Sequence, residues 1–255
     1  MLVKIILLLL GITCAVFLGY ILVLTICSLL VNPQKEYDTN SHFYRGLLNS
    51  ATAAMIKLLR IRVHITGMEK LPQGQLVLFV GNHISNFDPI LSWYAFRKWK
   101  LAFVSKPENF KIPFFGRIIR KCCFMPIDRE NPRNAIVTIN RAAKLLKKQE
   151  VSIGIYPEGT RSKSGELLPF HNGVFKIAQK ANAPVAVLSV NGTEHIAKNI
   201  PFRKTDVYLD VLEVIPADEV AATKTEILGQ RIRENLEQNR KLRKRERNEH
   251  DLHTV

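Results

Sequence analysis

The chain opens with a run in which apolar positions leave no gap. "IILLLLGITCAVFLGYILVLTICSLLV", residues 5–31, carries no charge over 27 positions. As a helix it would reach about 40 Å, more than the roughly 30 Å of hydrocarbon in a bilayer. A signal peptide usually has an apolar region of only about 7–15 residues and a small-residue cleavage site, and neither condition is met. A buried soluble helix of this length would need a polar face, which is missing. The pattern predicts a membrane anchor, either crossing the bilayer or bending near Gly19 and re-emerging. Lys4 is the one basic side chain ahead of the run and dozens follow it, so the positive-inside bias places the body of the chain on the cytoplasmic side.

Asn32-Pro33 ends this segment, and the periodicity then changes. "SHFYRGLLNSATAAMIKLLR" has apolar residues at Phe43, Leu47, Leu48, Ala51, Ala54, Met55 and Leu58, a helical stripe suited to a bilayer surface or to the domain. Beyond it, short runs rich in β-branched and aromatic residues predict strands: "QLVLFVG", "LAFVSK", "CCFMPID", "VSIGIY", "PVAVLSV" and "TDVYLDVLEVI". Helical patterns lie between several of them. Ile136, Ile139, Ala143 and Leu146 repeat behind an Asn131-Pro132 start, "NGVFKIAQKANA" gives a second helix, and Leu228, Ile232 and Leu236 mark a third from Thr223. This alternation predicts one α/β domain with a mostly parallel or mixed sheet flanked by helices. The expected divisions are the anchor at 1–32, an amphipathic helix and connector at 33–65, the α/β domain at 66–222, and a basic helix and tail at 223–255.

Composition sharpens the choice of partner. Among 255 residues, 37 Lys and Arg against 22 Asp and Glu leave a net charge of +15, which favours an anionic partner. "RKLRKRER" near the end lacks the aromatic or helix-turn-helix setting of a nucleic-acid site, so none is expected. A solvated helix end and a contact to anionic membrane lipids are its two readings. Cys14 and Cys27 lie in the apolar run, and Cys122-Cys123 has no metal-binding spacing. With no HExxH or Cys/His cluster, no metal is expected.

"GNHISNFDPI", Gly81 to Ile90, places His83 and Asp88 directly after an apolar strand. Open α/β sheets carry their sites beyond the carboxyl ends of strands. A neutral imidazole can take a proton from a hydroxyl while a carboxylate on its other nitrogen fixes the tautomer. Five residues along a regular helix would set the two side chains about 140° apart, so the pair needs a turn. A surface histidine and a helix-capping aspartate are the plainer alternative. Three more segments add cations at strand ends: Lys106 in "KPENFKIPFFG", Arg129 and Arg133 in "PIDRENPR", and Arg161 in "YPEGTRS". "IPFFGRII" reads as a core helix or a membrane-facing patch.

Together these motifs resemble the lysophosphatidate acyltransferase (1-acylglycerol-3-phosphate acyltransferase) family. Its NHxSxxD signature is matched by Asn82, His83, Ser85 and Asp88. Its K-x-E-L-x-x-x-P-x-x-G element is matched at Lys106, Glu108, Pro113 and Gly116, with Asn109 in place of leucine. Its F-P-E-G-T-R-S element appears as Tyr156 to Ser162, with tyrosine for phenylalanine. Pro184 matches one of the two prolines usual in its fourth motif, Leu188 stands near the other, and His171 stands where the family often has lysine. The likeness runs from about Leu71 to Thr193.

The resemblance implies acyl transfer from acyl-CoA or acyl-carrier protein to the sn-2 hydroxyl of lysophosphatidic acid, with no cofactor beyond the acyl thioester co-substrate. His83 would be the general base and Asp88 its orienting partner. Lys106, Arg129, Glu158, Gly159, Thr160 and Arg161 would bind substrate, and backbone N–H groups around Gly159 would hold the oxyanion. Glycerol-3-phosphate or another lysophospholipid is the alternative acceptor. A thioesterase is disfavoured by the lack of a GxSxG elbow, and a non-enzymatic basic membrane protein would leave both motifs idle.

Overall fold

The computed structural model describes residues 1–252; the end of the expected basic tail, 253–255, lies outside the described residues. Seven strands form one sheet: β1 (Ile61–Thr66), β2 (Leu78–Gly81), β3 (Ala102–Ser105), β4 (Met125–Pro126), β5 (Ile153–Ile155), β6 (Val185–Asn191) and β7 (Thr205–Ile215). Their order is β1-β7-β6-β2-β5-β3-β4. Every neighbouring pair is parallel except β6 with β7. The sheet is therefore mixed, with β1 and β7 running against the other five. Strands β2 and β5 are buried at every position, as a parallel sheet covered on both faces requires.

The helices are α1 (Leu2–Leu29), α2 (His42–Leu58), α3 (Asp88–Ala95), α4 (Phe115–Lys121), α5 (Pro132–Lys147), α6 (Lys176–Ala181), α7 (Ile196–Asn199), α8 (Ala217–Ala222) and α9 (Thr225–Leu252). Helices α2, α3 and α4 pack together, α5 packs on α6 and α6 on α8, and α9 covers β6. As expected, Asn131 caps α5, accepting from the Arg133 and Asn134 amides with Pro132 in the first turn. Leu228, Ile232 and Leu236 of α9 are buried; the helix starts at Thr225 rather than Thr223. Helix α1 is long and apolar enough to cross a membrane, and residues 1–19 are exposed along its whole circumference.

Strand β1 falls inside the segment expected to be connector. It is a sheet edge with alternating burial, and its outward Arg62 and His64 both pair with Asp206 of β7. Three polar residues in six, Arg62, His64 and Thr66, hide a strand of this kind from a search for apolar runs. The adjacent cysteines sit outside β4, with Cys123 in a left-handed turn at φ 63°. Both thiols are buried, and burial pushes each up to about 12, so neither is a nucleophile at neutral pH. On α5, Ile136 lies at the surface instead of on the core stripe.

Helix α2 packs on the domain, but not with the stripe that its apolar spacing predicts. Phe43 and Leu58 are exposed, whereas Arg45, Leu48, Thr52 and Ile56 are buried. The shift has a cause. The Arg45 guanidinium donates to Asn40 Oδ1 at 2.6 Å, to Leu101 O at 2.9 Å and to Cys122 O at 3.3 Å, and lies 4.5 Å over the Trp93 ring. Burial lowers its pKa from the ordinary value. Polar anchoring has overridden hydrophobic phase. Arg45→Ala should leave three buried oxygens without donors and cost about 3 kcal/mol or more. At this chain length that is a fall in Tm of roughly 6–12 °C, read by thermal unfolding in detergent.

Candidate active site

Strands β2, β5, β3 and β4 are parallel neighbours, so the segments following them emerge along one edge of the sheet. "NHISNFD" leaves β2 there, "YPEGTRS" leaves β5, Lys106 follows β3 and Arg129 follows β4. Strand β6 ends at the same edge and delivers Thr193. Backbone closeness explains two motif glycines. A Cβ on Gly81 would stand 2.7 Å from Leu188 O, and one on Gly116 would stand 2.3 Å from Phe110 O.

Asn82 fixes the turn after β2. It is buried, donates to Val190 O and accepts from the Val190 amide, both at 2.8 Å. His83 is then held from the β5 side at both backbone groups: its N–H donates to Glu158 Oε1 at 2.8 Å, and its carbonyl accepts from the Ser162 amide at 2.8 Å. The segment stays non-helical through Phe87, and α3 begins at Asp88. This is the turn the His–Asp pairing needs.

Asp88 is fully buried. Its Oδ2 accepts from His83 Nδ1 at 2.8 Å and from the Ile84 and Ser85 amides, each at 2.7 Å, while Oδ1 accepts from the Thr193 hydroxyl. All four donors point at one carboxylate. With the Nδ1 proton given to Asp88, the remaining ring nitrogen, Nε2, carries the lone pair, which is the arrangement of a general base.

Tyr156 sets the plane of that ring. It stacks on His83 with centroids 4.3 Å apart and planes 11° from parallel, and on Phe103 behind it at 5.7 Å. Burial holds the tyrosine hydroxyl well above its ordinary pKa, and the Asp88 charge adds to the effect. Neither this hydroxyl nor Ser92 Oγ has a well-formed hydrogen bond.

The expected substrate-binding residues divide into two groups. Glu158 is buried, with Oε1 on the His83 amide and Oε2 on the Leu168 amide at 2.9 Å. Burial raises its pKa and the two amides partly offset this. Both of its oxygens thus accept from backbone, and the side chain is buried, so it holds the loop together instead of lying open along the edge. Gly159 takes φ 70° and spends its N–H on Tyr156 O at 3.1 Å, so that amide is not free for an oxyanion. Thr160, Arg161, Lys106 and Arg129 are exposed along the edge. Arg129 is nonetheless crowded on one side: burial lowers its pKa and Glu108 opposes the shift.

Thr193 is the residue that motif reading passes over. It lies 105 positions from Asp88, and its only signal is its place just beyond a strand's carboxyl end. Of the clefts elsewhere, one of about 370 Å³ lies between β7 and α9, away from His83; Asp210 and Arg243 in its wall are paired with each other. Among the described residues, no group of three or more His, Cys, Asp or Glu is placed to hold a metal.

Comparison with known proteins places the fold in a family. The family model described as Acyltransferase matches residues 62–191, the whole span from β1 to the end of β6. A 1-acyl-sn-glycerol-3-phosphate acyltransferase of Borreliella burgdorferi is 29% identical over 181 residues, 70% of this chain and 72% of that protein. The Salmonella typhimurium protein of the same name is 30% identical over 144 residues, 56% of this chain and 57% of its own length. A chloroplastic one from Brassica napus, BAT2, is 35% identical over 136 residues, 53% of this chain but 39% of its own. The crystal structure of the 1-acyl-sn-glycerophosphate (LPA) acyltransferase PlsC from Thermotoga maritima superposes with a TM-score of 0.66 at 26% identity, covering 78% of this chain and 79% of that one. With the family model covering half of its length and the same fold in a solved relative, the chain belongs to the acyltransferase family.

Proposed function

We propose that the chain moves a fatty acyl group from an acyl thioester, acyl-CoA or acyl-carrier protein, to the sn-2 hydroxyl of 1-acyl-glycerol-3-phosphate, making phosphatidic acid. The observation that carries this reading is the His83–Asp88 pair with its outer nitrogen unblocked, at a sheet edge bearing Lys106, Arg129 and Arg161.

His83 Nε2 takes the proton as the acceptor hydroxyl attacks the thioester carbonyl. The tetrahedral oxyanion collapses, the C–S bond breaks, and the departing thiolate takes the proton back from the imidazolium. The acceptor supplies the nucleophile, so no acyl-enzyme is required. Asp88 keeps the tautomer and stabilises the transient charge. With the Gly159 amide committed, the oxyanion donors are the next two, Thr160 and Arg161, neither of which donates within the described chain. The Lys106, Arg129 and Arg161 side chains hold the phosphate. Glu158 acts by positioning His83 and the loop beyond it.

The acceptor's acyl chain belongs in lipid, and α1 serves as the membrane anchor, with the domain on the cytoplasmic side where soluble thioesters are available. Exposed cations of α9, Lys241 and Lys244 among them, suit anionic headgroups.

An acceptor panel assayed with one acyl-CoA, with product masses, tests the reading: thiol release that depends on 1-acyl-glycerol-3-phosphate and yields phosphatidic acid supports it, and release without acceptor overturns it. His83→Ala and Asp88→Asn should each lower kcat by about 10²–10⁴ while the protein remains folded. Near-normal turnover of His83→Ala would remove the base assigned here.

The two positioning residues give separate outcomes. A Glu158→Gln amide can accept one backbone N–H but turns its own donor toward the other, so both stability and kcat should fall, the former by about 1–3 kcal/mol. Tyr156→Phe keeps the stacked ring and should leave kcat within about twofold, whereas Tyr156→Leu frees the imidazole and should lower kcat about tenfold or more. Single-turnover rates and thermal unfolding of the same samples separate the two effects.

A further inference from the structure

A second imidazole lies on the long segment between β5 and α6, the one that also carries Glu158 and Arg161, and has no place in the mechanism above. His171 is exposed and leads into the turn at Asn172–Phe175 before α6. Its amide donates to Pro157 O at 2.9 Å, which brings its ring against the turn after β5. A Cβ added to Gly159 would stand 3.0 Å from His171 Cδ2 and 3.1 Å from Nε2. The glycine thus leaves room for the ring, and the ring edge carrying Nε2 rests beside the segment that bears Thr160 and Arg161. No hydrogen bond or ion pair within the described chain occupies the His171 ring nitrogens.

Charged residues stand on the segments next to this ring. From the turn come Glu158, whose carboxyl is buried under two amides, and Arg161, which is exposed. From α9 comes Arg233, which lies 5.9 Å over the neighbouring Phe170 ring and is itself paired with Glu237. From its own segment comes Lys176. Among the described residues, no carboxylate is hydrogen-bonded or ion-paired to the ring.

We propose that His171 completes the phosphate-binding side of the site, donating from Nε2 to the acceptor's phosphate when protonated. The inference rests on the acyl-transfer reading. Imidazole changes charge between about pH 5 and 8, so this contact is an adjustable cation beside the permanent one on Arg161. Acceptor binding then tightens as pH falls and slackens as it rises, without any change in the chemical step.

The test uses the full chain in detergent micelles, with kcat and KM for 1-acyl-glycerol-3-phosphate measured at pH 6 and pH 8. The acceptor's own second ionisation is common to every variant, so the comparison with His171→Gln isolates the imidazole. The wild-type KM should rise about tenfold more across this interval than that of His171→Gln, the worth of one charge-assisted hydrogen bond. His171→Lys should keep a low KM at both pH values, and in all three the change should fall on KM and not on kcat. An identical pH slope in wild type and His171→Gln, or a His171→Lys variant that behaves like the glutamine one, overturns the proposal. Calorimetric titration with glycerol 3-phosphate separates its failure from that of the function. Binding that weakens with pH only when His171 is present, in a protein that transfers nothing to lysophosphatidate, defeats the function and leaves the phosphate contact standing. Normal transfer with pH-independent binding defeats the contact alone.

Discussion

A carboxylate without access to water organises this molecule's working edge. Asp88 has no exposed surface and is held by four donors, two of them backbone amides of the turn that precedes it. Burying a carboxylate is costly unless its oxygens are hydrogen-bonded, so the turn, the His83 ring and Thr193 are constrained together. If Asp88 is removed, all four donors lose the one partner that defines their geometry. The constraint reaches three strands: β2 supplies the turn, β6 supplies Thr193, and β5 supplies the loop that clamps His83 through Glu158 and Ser162. The site is thus assembled by long-range hydrogen bonds to short side chains, and its rigidity is inherited from the parallel core beneath.

How much of this can be read from the linear chain depends on where each partner lies. The β2-turn-helix unit is local. An apolar strand, a glycine, a proline and a His–Asp spacing too wide for one helical face point to it directly, and the observed turn through Phe87 obeys that logic. The α/β alternation is equally plain because parallel strands, buried on both faces, are short apolar blocks. What escapes is either far in sequence or carried by polar atoms. Thr193 has no periodicity to mark it, β1 is half polar because its outer face pairs with Asp206, and α2 is phased by Arg45 instead of by its leucines. Glu158 shows the converse case: a charged residue inside a motif draws a ligand-binding reading, and its burial and its two backbone donors do not show in the sequence. Composition and pattern show which side chains are unusual but not which of them already have partners.

The distribution of positive charge follows the same division. Much of the surplus is consumed structurally: Arg141 ties α5 to Glu36 and Asp38, Arg231 bridges Glu213 and Glu219, and Arg243 is bound to the buried Asp210. Arg240 and Arg243, the first and fourth residues of the basic stretch of α9, therefore hold the helix against the domain, and that stretch is less of a free polycation than its sequence implies. The edge beside His83 differs. Among the described residues Lys106, Arg161 and His171 make no ion pair there, and the two buried carboxyls nearby, Asp88 and Glu158, are both held by donors of the protein itself. An anion entering this edge meets cations that need not first be released from other partners, which is the condition for charge to act on a ligand and not on the fold.

The same fastening carries mechanical consequences for an enzyme that must meet a lipid. Tyr44 of α2 donates to Cys27 O near the end of α1 at 3.0 Å, and Tyr20 of α1 is hydrogen-bonded to Ser50 of α2 at 2.9 Å. These two contacts fix α1 against α2 over its last turns, while residues 1–19 stand clear. Helix α2 is in turn pinned by Arg45 to the residue before β3 and to the loop before β4, the two strands that lead to Lys106 and Arg129. A continuous chain of hydrogen bonds therefore runs from the apolar helix to the strands bearing the cationic edge, with no flexible linker interposed. Wherever lipid fixes α1, it also fixes the height and tilt of the sheet's carboxyl edge. On the proposed reading of α1 as a membrane anchor and His83 as the base, the acceptor's hydroxyl, its own depth set by its acyl chain, would meet His83 at a defined level above the bilayer.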